Sequence, residues 1–171
     1  MLKFMYEQKF LYNIWEDDEY IQCTRDILNH EQFQRLNNYI QHGTTTCLVH
    51  SVNVSYRSYL YCRQHGLNWR NAARGGLLHD LFLYDWHYHF KETGNRFHGF
   101  THPKSAYRNA VKFFHLNKVE KDIIIKHMWP LTVIPPKYKE SAVVCMMDKY
   151  CSTMETVRPR LMFWRTGQVG A

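Results

Sequence analysis

The sequence lacks the features that mark secreted and membrane proteins. Its five cysteines are an odd number and no two of them form a CxxC pair, which predicts reduced thiols rather than a disulfide framework. No stretch approaches the roughly 20 apolar residues that a membrane span requires. The N-terminus has no long apolar segment and no cleavage site. These absences predict a cytoplasmic protein with no membrane partner.

Patterns other than helical ones are also scarce. The chain has no internal repeat, no low-complexity tract and no convincing alternation of apolar and polar residues, so strands are not predicted. Its 171 residues suffice for one domain with a real core. We predict an all-α, single-domain helical bundle in three parts: an aromatic arm with helices at 1–43, a metal-binding helical domain at 44–157 and a basic tail at 158–171.

Capping residues and apolar spacing indicate where the core helices lie. The threonines at 44–46, Asn68 and Asn117 are suitable N-caps, and Pro103 suits the first position of a helix. The predicted helices run from the threonines at 44–46 to about 64, and over 69–82, 102–116, 118–128 and 139–154. The adjacent glycines at 75–76 would let a neighbouring helix approach closely. Residues 83–101 form a long connection, whose His87 and His89 are either surface residues or part of a substrate-facing lid.

The net charge of +7 favours phosphorylated partners. The basic residues are spread along the chain rather than gathered in a run of the length that marks a nucleic-acid-binding tail. Nucleic acid therefore remains a possible partner that the pattern does not favour, and a plain solvated surface explains the charge equally well.

A set of metal-binding residue types recurs within or beside apolar helical segments. Its members are His50, the adjacent pair His79-Asp80, His102, His127 and Asp148. Imidazole and carboxylate together can hold one or two divalent metals, and a metal so held makes water a nucleophile at neutral pH. Burying an unpaired carboxylate such as Asp80 is costly, and metal ligation offsets that cost. These residue types beside apolar helical positions therefore predict a metal site in the core of the bundle, provided that their helices converge.

The order His, His-Asp, His, His, Asp resembles that of the HD-domain metal-dependent phosphohydrolase superfamily. Leu-Val-His-Ser at 48–51 resembles the helix of the first ligand, and Gly-Leu-Leu-His-Asp at 76–80 resembles the signature pair. His-Pro-Lys-Ser-Ala at 102–106, Lys-His-Met-Trp at 126–129 and Met-Asp-Lys at 147–149 resemble the later ligand segments of binuclear members. The resemblance covers about residues 44–154.

The resemblance implies two metal positions that share one carboxylate. The residues implied for the first position are His50, His79, Asp80 and Asp148. Those implied for the second are Asp80, His102 and His127, with His98 as the rival of His102. Asp80 and His79 are the implied catalytic pair. Two divalent transition metals are expected, iron or manganese first, with cobalt, nickel, zinc or magnesium as further candidates.

The implied activity is hydrolysis of a nucleotide or another small phosphoester by a hydroxide that bridges the metals. Five residues near the ligands in sequence are candidates for substrate binding: Arg74, His98, Lys104, Lys126 and Lys149. Arg74 and the three lysines are also explained as solvated residues, and His98 as a residue that supports a ligand. Many hydrolytic members carry a lysine soon after the His-Asp pair, whereas this chain has Leu81-Phe82-Leu83 there. Three alternatives stay open: a mixed-valent di-iron oxygenase of the HD type, a non-catalytic module that binds a nucleotide or RNA, and a structural protein in which the histidines are coincidental.

Overall fold

The computed structural model describes residues 14–85 and 98–166, without the side chains of His98 and residues 158–166. Seven α-helices lie in these ranges: α1 (Asp18–Leu28), α2 (Glu31–Gln34), α3 (Cys47–Gln64), α4 (Trp69–Leu78), α5 (His98–Phe113), α6 (Lys118–Lys126) and α7 (Lys139–Thr166). Two 3₁₀ helices, Ile14–Glu16 and Arg35–Asn38, and two short strands, β1 (Ile40–His42) and β2 (Thr45–Thr46), complete the fold. It is a single all-α domain, as predicted.

Parts of three sequence predictions lie outside the described residues. They are the body of the aromatic arm, the centre of the long connection with His87 and His89, and the end of the basic tail. Within the described ranges, no helix has the length and hydropathy of a membrane span.

The predicted caps begin three of the core helices. The side chain of Thr46 accepts a hydrogen bond from Val49 N at 3.3 Å at the start of α3, and Asn68 does the same for Asn71 N at 3.2 Å in α4. At the start of α6, Asn117 and Glu120 cap one another's backbone in a reciprocal capping box. These bonds satisfy amide groups that have no partner within their own helix.

Several predicted helix boundaries are wrong. α4 ends at Leu78 rather than near Phe82, because the chain turns at His79 and the amide of Phe82 bonds to the carbonyl of Asp80. α5 begins at His98, so Pro103 lies inside the helix and has no N–H to give to the preceding turn. α7 continues to Thr166, well beyond the predicted end at 154.

The expectation that no strand forms is also wrong. β1 and β2 pair antiparallel, with Ile40 opposite Thr46 and His42 opposite Thr45. Gly43 in the turn has a φ of 58°, a left-handed conformation that glycine adopts without strain. The strands are too short to show an alternation in the sequence. This hairpin lies at the start of α3 and places the side chain of Gln41 in the interior, while Ile40 is exposed.

Helix α3 packs against α4 and α7, and α6 packs against α4, α5 and α7. The predicted role of the paired glycines is confirmed. A Cβ on Gly76 would lie 2.7 Å from the Cα of Ser55 in α3, and a Cβ on Gly75 would lie 2.5 Å from Ile123 Cδ1 in α6. At Gly76 the contact is the backbone of Ser55, so α4 can approach α3 this closely only where it has no side chain, whereas at Gly75 the side chain of Ile123 fills the space that a Cβ would take.

Candidate metal centre

The structure brings the six predicted metal-binding side chains together in the interior. They come from α3 (His50), the turn after α4 (His79 and Asp80), α5 (His102), the residue after α6 (His127) and α7 (Asp148). None of these residues is more than 7% exposed. Side chains separated by about a hundred positions in the sequence therefore share one buried location.

The end of α4 sets the orientation of His79. Its Nδ1–H donates a hydrogen bond to the carbonyl oxygen of Gly76 at 2.7 Å, which leaves Nε2 as the atom with a lone pair. That Nε2 lies 3.4 Å from Asp80 Oδ2 and 3.7 Å from Asp148 Oδ1. It is buried and has no hydrogen-bond partner among the described residues.

The first ligand group consists of His50, His79, Asp80 and Asp148. Nε2 of His50 lies 3.1 Å from Asp148 Oδ1 and 3.9 Å from Asp80 Oδ2. The other ring nitrogen of His50, Nδ1, hydrogen-bonds Glu155 Oε2 at 2.8 Å. The group thus has carboxylates on both sides of one imidazole.

The second ligand group consists of Asp80, His102 and His127. Oδ1 of Asp80 lies 3.2 Å from His102 Nε2 and 3.4 Å from His127 Nε2. The two Nε2 atoms are only 2.7 Å apart. Nδ1–H of His127 donates to the carbonyl oxygen of Ile124 at 2.9 Å, which again turns Nε2 toward the centre.

Burial and the neighbouring charges shift the pKa values of these groups. Burial opposes protonation of His50, but its bonds to Asp148 and Glu155 prevail and raise its pKa to about 10. Despite burial, the imidazoles around Asp80 and Asp148 hold the pKa of each carboxyl well below its usual range. Burial lowers the pKa of His127. The carboxylates are therefore charged at neutral pH, as metal ligands must be.

These buried groups can hold metal ions. Ligand atoms of His50, His79 and Asp80 lie within 4.8 Å of one another, and so do those of Asp80, His102 and His127. His79 Nε2 and Asp80 Oδ1 are buried without a hydrogen-bond partner among the described residues. Such atoms are costly to bury, and a metal ion would satisfy both. The donor set therefore fits one or two metals of the kind that imidazole and carboxylate ligands bind.

The sequence analysis missed two residues that support the ligands. Gln41 on β1 is buried, and its Nε2 donates a hydrogen bond to Asp80 Oδ2 at 2.6 Å. Glu155 bonds His50 and also accepts from Asn53 Nδ2 at 3.1 Å. Glu155 lies two helical turns after Asp148, so extending the predicted helix beyond 154 would have found it. No local signal singles out Gln41, which depends on the hairpin.

The candidate substrate-binding residues occupy different environments. Lys149 lines the cavity at the ligands, and its Nζ donates to the carbonyl of His127 at 2.8 Å. Lys126 is paired with Asp122 at 2.6 Å, and Lys104 is exposed. Arg74 does not line that cavity, because its guanidinium is bound at both ends by Asp26, at 2.6 and 2.9 Å. The side chain of His98 lies outside the description.

The cavity at the ligands has a volume of about 650 Å³, within the range of small-molecule sites. Four ligands of the cluster line it: Asp80, His102, His127 and Asp148. The remaining lining residues come mainly from the β1 strand, the turn after α6 and helix α7. A small molecule in this cavity would therefore contact the ligand set directly.

The chain matches no protein-family model, and comparisons with curated proteins and with solved structures find no match. Functional interpretation therefore depends on the chemistry of the buried His and Asp cluster itself.

Proposed function

We propose that this protein is a binuclear metal-dependent phosphohydrolase of the HD type that acts on a nucleotide or another small phosphoester. The observation that carries the proposal is the position of Asp80. Its Oδ2 faces His50 and His79 at 3.9 and 3.4 Å, and its Oδ1 faces His102 and His127 at 3.2 and 3.4 Å. A carboxylate with one oxygen toward each imidazole pair suits two metals that share a ligand.

The first ligand group would hold one metal and the second would hold the other, with iron or manganese as the expected ions. Metals bound there would lower the pKa of water into the neutral range and offset the charge on phosphoryl oxygens. Both effects promote hydrolysis of a phosphoester.

The chain's own residues orient the ligands for this task. The carbonyls of Gly76 and Ile124 fix the rings of His79 and His127, and Glu155 fixes the ring of His50. Gln41 holds one oxygen of Asp80. Because these partners are themselves part of the packed structure, the ligands are held in position before a metal binds.

The remaining lining residues would receive the substrate. Gln41, Ser152 and Thr153 offer hydrogen-bonding groups along the cavity. His42 also lines it, and burial together with the neighbouring His50 lowers its pKa, so its imidazole is neutral at pH 7 and able to accept a hydrogen bond.

The test is phosphate release from a panel of phosphoesters by protein loaded with manganese or, without oxygen, with ferrous iron. We expect hydrolysis that Asp80→Asn abolishes and that Asp18→Asn, an exposed position at the start of α1, leaves unchanged. Asp80→Asn should also remove bound metal, because both groups lose their shared ligand.

The same preparations distinguish the alternatives. Oxygen consumption by the iron-loaded protein without phosphate release would contradict hydrolysis and favour the di-iron oxygenase. Nucleotide binding that persists after metal is removed, with no turnover of any kind, would favour a binding module. Metal content below one equivalent, unaffected by Asp80→Asn, would contradict a metal centre altogether.

A further inference from the structure

We infer that the site takes a phosphate monoester that carries an apolar group, and that Met128 and Leu131 in the turn after α6 recognise this group. The inference rests on the proposed function for the phosphoryl end and on the cavity wall for the apolar end. Nothing in the ligand set itself distinguishes one phosphoester from another. Selectivity for the rest of the substrate must therefore come from the cavity wall.

The cavity joins two unlike environments. Its ligand residues are no more than 7% exposed, whereas Leu131 is 47% exposed. The cavity therefore extends from the buried metal ligands to the surface at the turn that follows α6. A substrate with its phosphoryl group at the ligands would have its other part beside this turn.

The wall beside the turn is apolar and closely packed. A Cβ built on Gly99 in α5 would lie 2.8 Å from Leu131 Cδ2 and 3.6 Å from Met128 Cε. Both side chains therefore cover the backbone of α5 at Gly99, and Pro130 lies between them in the lining. Burial of a hydrocarbon group against these side chains lowers the free energy of binding. The same side chains offer no hydrogen bond to a sugar hydroxyl.

Helix α7 holds this turn at a fixed distance from the ligands. Lys149 Nζ donates to the carbonyl of His127 at 2.8 Å, and Cys145 Sγ–H donates to the carbonyl of Trp129 at 3.2 Å. One end of the turn is thus the ligand His127 and the other end is the wall residue Leu131. The separation between the phosphoryl position and the apolar wall is set by a bonded segment of backbone.

The lining charges favour a single phosphoryl group. Among the described lining residues, Lys149 is the one lysine, and no arginine is present. Its ammonium group already meets the carbonyl of His127 and both the carbonyl and the sulfur of Cys145, at 2.8, 3.3 and 3.1 Å. An ammonium has three donors, so these three acceptors use them all and leave none for a second phosphoryl group.

The test measures binding of the alkylphosphonate series from methyl to hexyl to the manganese-loaded full chain by calorimetry. The P–C bond of these compounds resists hydrolysis, so affinity is read without turnover. We expect about two- to fourfold tighter binding per methylene, the range for full or partial burial of a CH₂ group. Leu131→Ser should flatten this dependence, because the longer alkyl groups lose their apolar contact.

Val133→Ser is the matched control, because Val133 belongs to the same loop, is 90% exposed and does not line the cavity. Met128→Ser provides a second variant of the wall. Affinity that does not depend on chain length, equal effects of the Leu131 and Val133 variants, or no phosphonate binding at all would overturn the inference. Chain-length-dependent binding without hydrolysis of any phosphoester would instead contradict the proposed function alone.

Discussion

The two ligand groups share Asp80 but differ in how many carboxylates lie beside their imidazoles. In the first group, His50 has Asp148 on one ring nitrogen and Glu155 on the other. In the second group, the Nε2 atoms of His102 and His127 lie 2.7 Å apart, and Oδ1 of Asp80 lies close to both of them. The first group therefore combines two imidazoles with the carboxylates of Asp80 and Asp148, whereas the second combines two imidazoles with the carboxylate of Asp80.

This difference predicts unequal metal sites. The first group has more negative charge and more oriented donors, so it should bind the first equivalent of metal more tightly. The second group should bind metal only at higher metal concentration, and its side chains should become more ordered when it does. The first two experiments below test that contrast directly. The next two test the helix packing around the groups and the charges of the first group without a metal, and the order runs from the largest expected effect to the smallest.

Removing one imidazole from each group should have unequal consequences. We expect His79→Ala to lower affinity for the first metal by more than about 100-fold, beyond the 10–100-fold range for loss of an outer hydrogen-bond partner, and His127→Ala to leave one tightly bound equivalent. Metal content after dialysis, measured by elemental mass spectrometry, gives the stoichiometry. His115→Ala, an exposed position after α5, is the control. Equal losses in the two ligand variants would refute the contrast.

Removing the carboxylate of Glu155 should weaken metal binding by the first group and leave binding by the second group unchanged. Glu155→Ala is expected to lower affinity for the first equivalent by about 10–100-fold, because His50 loses the partner that orients its ring. Glu155→Gln keeps an oxygen that can accept from Nδ1–H and should lose less. Titration with manganese followed by electron paramagnetic resonance measures both steps. A change confined to the second equivalent would contradict the assignment.

Gly76 in α4 and Gly99 in α5 should tolerate substitution by alanine to different degrees. At Gly76 the added carbon would meet the backbone of Ser55 at 2.7 Å, so we expect the free energy of unfolding to fall by about 1–3 kcal/mol. At Gly99 the contact is the end of the flexible Leu131 side chain, so the loss should be below about 1 kcal/mol, offset by the better helix propensity of alanine. Denaturant unfolding measures both. A larger loss for Gly99→Ala would contradict this packing.

The metal-free protein should lose stability as the pH rises. The pKa of His50 is raised from 6.5 to about 10 in the folded state, so its contribution is complete below about pH 6.5 and disappears as the pH passes through 10. Thermal unfolding with chelator between pH 7 and 10 should show the fall. Asp148 acts oppositely, since its lowered pKa makes its contribution disappear in acid. In Glu155→Gln the alkaline fall should shrink, and an unchanged fall would assign it to other groups.

Much of the helical framework could be predicted from local signals. Thr46, Asn68 and Asn117 are side chains whose oxygens cap a helix, and that chemistry acts over three residues. The ligand residues could be listed because imidazole and carboxylate groups in apolar segments are unusual. Their convergence could not be derived from spacing, because it depends on how α4 packs against α3 and α6 at the paired glycines.

The remaining features depend on contacts that no short segment encodes. Gln41 reaches Asp80 only because a hairpin of a few residues precedes α3. Arg74 lies one turn before the ligand pair in sequence, yet it faces Asp26 on α1 and Glu120 on α6. Sequence proximity to a ligand did not indicate orientation toward it in these cases, since neighbouring positions on a helix face different directions.

Helix α7 has a consequence for how the protein would respond to metal loss. One continuous helix supplies Asp148 to the first group, supplies Glu155 as the outer partner of His50 and, through Lys149, anchors the turn that carries His127. Fraying or rotation of α7 would therefore displace residues of both proposed metal positions at once. Metal bound at either position should therefore slow amide hydrogen exchange along the middle of α7. This helix would then couple the two metal positions.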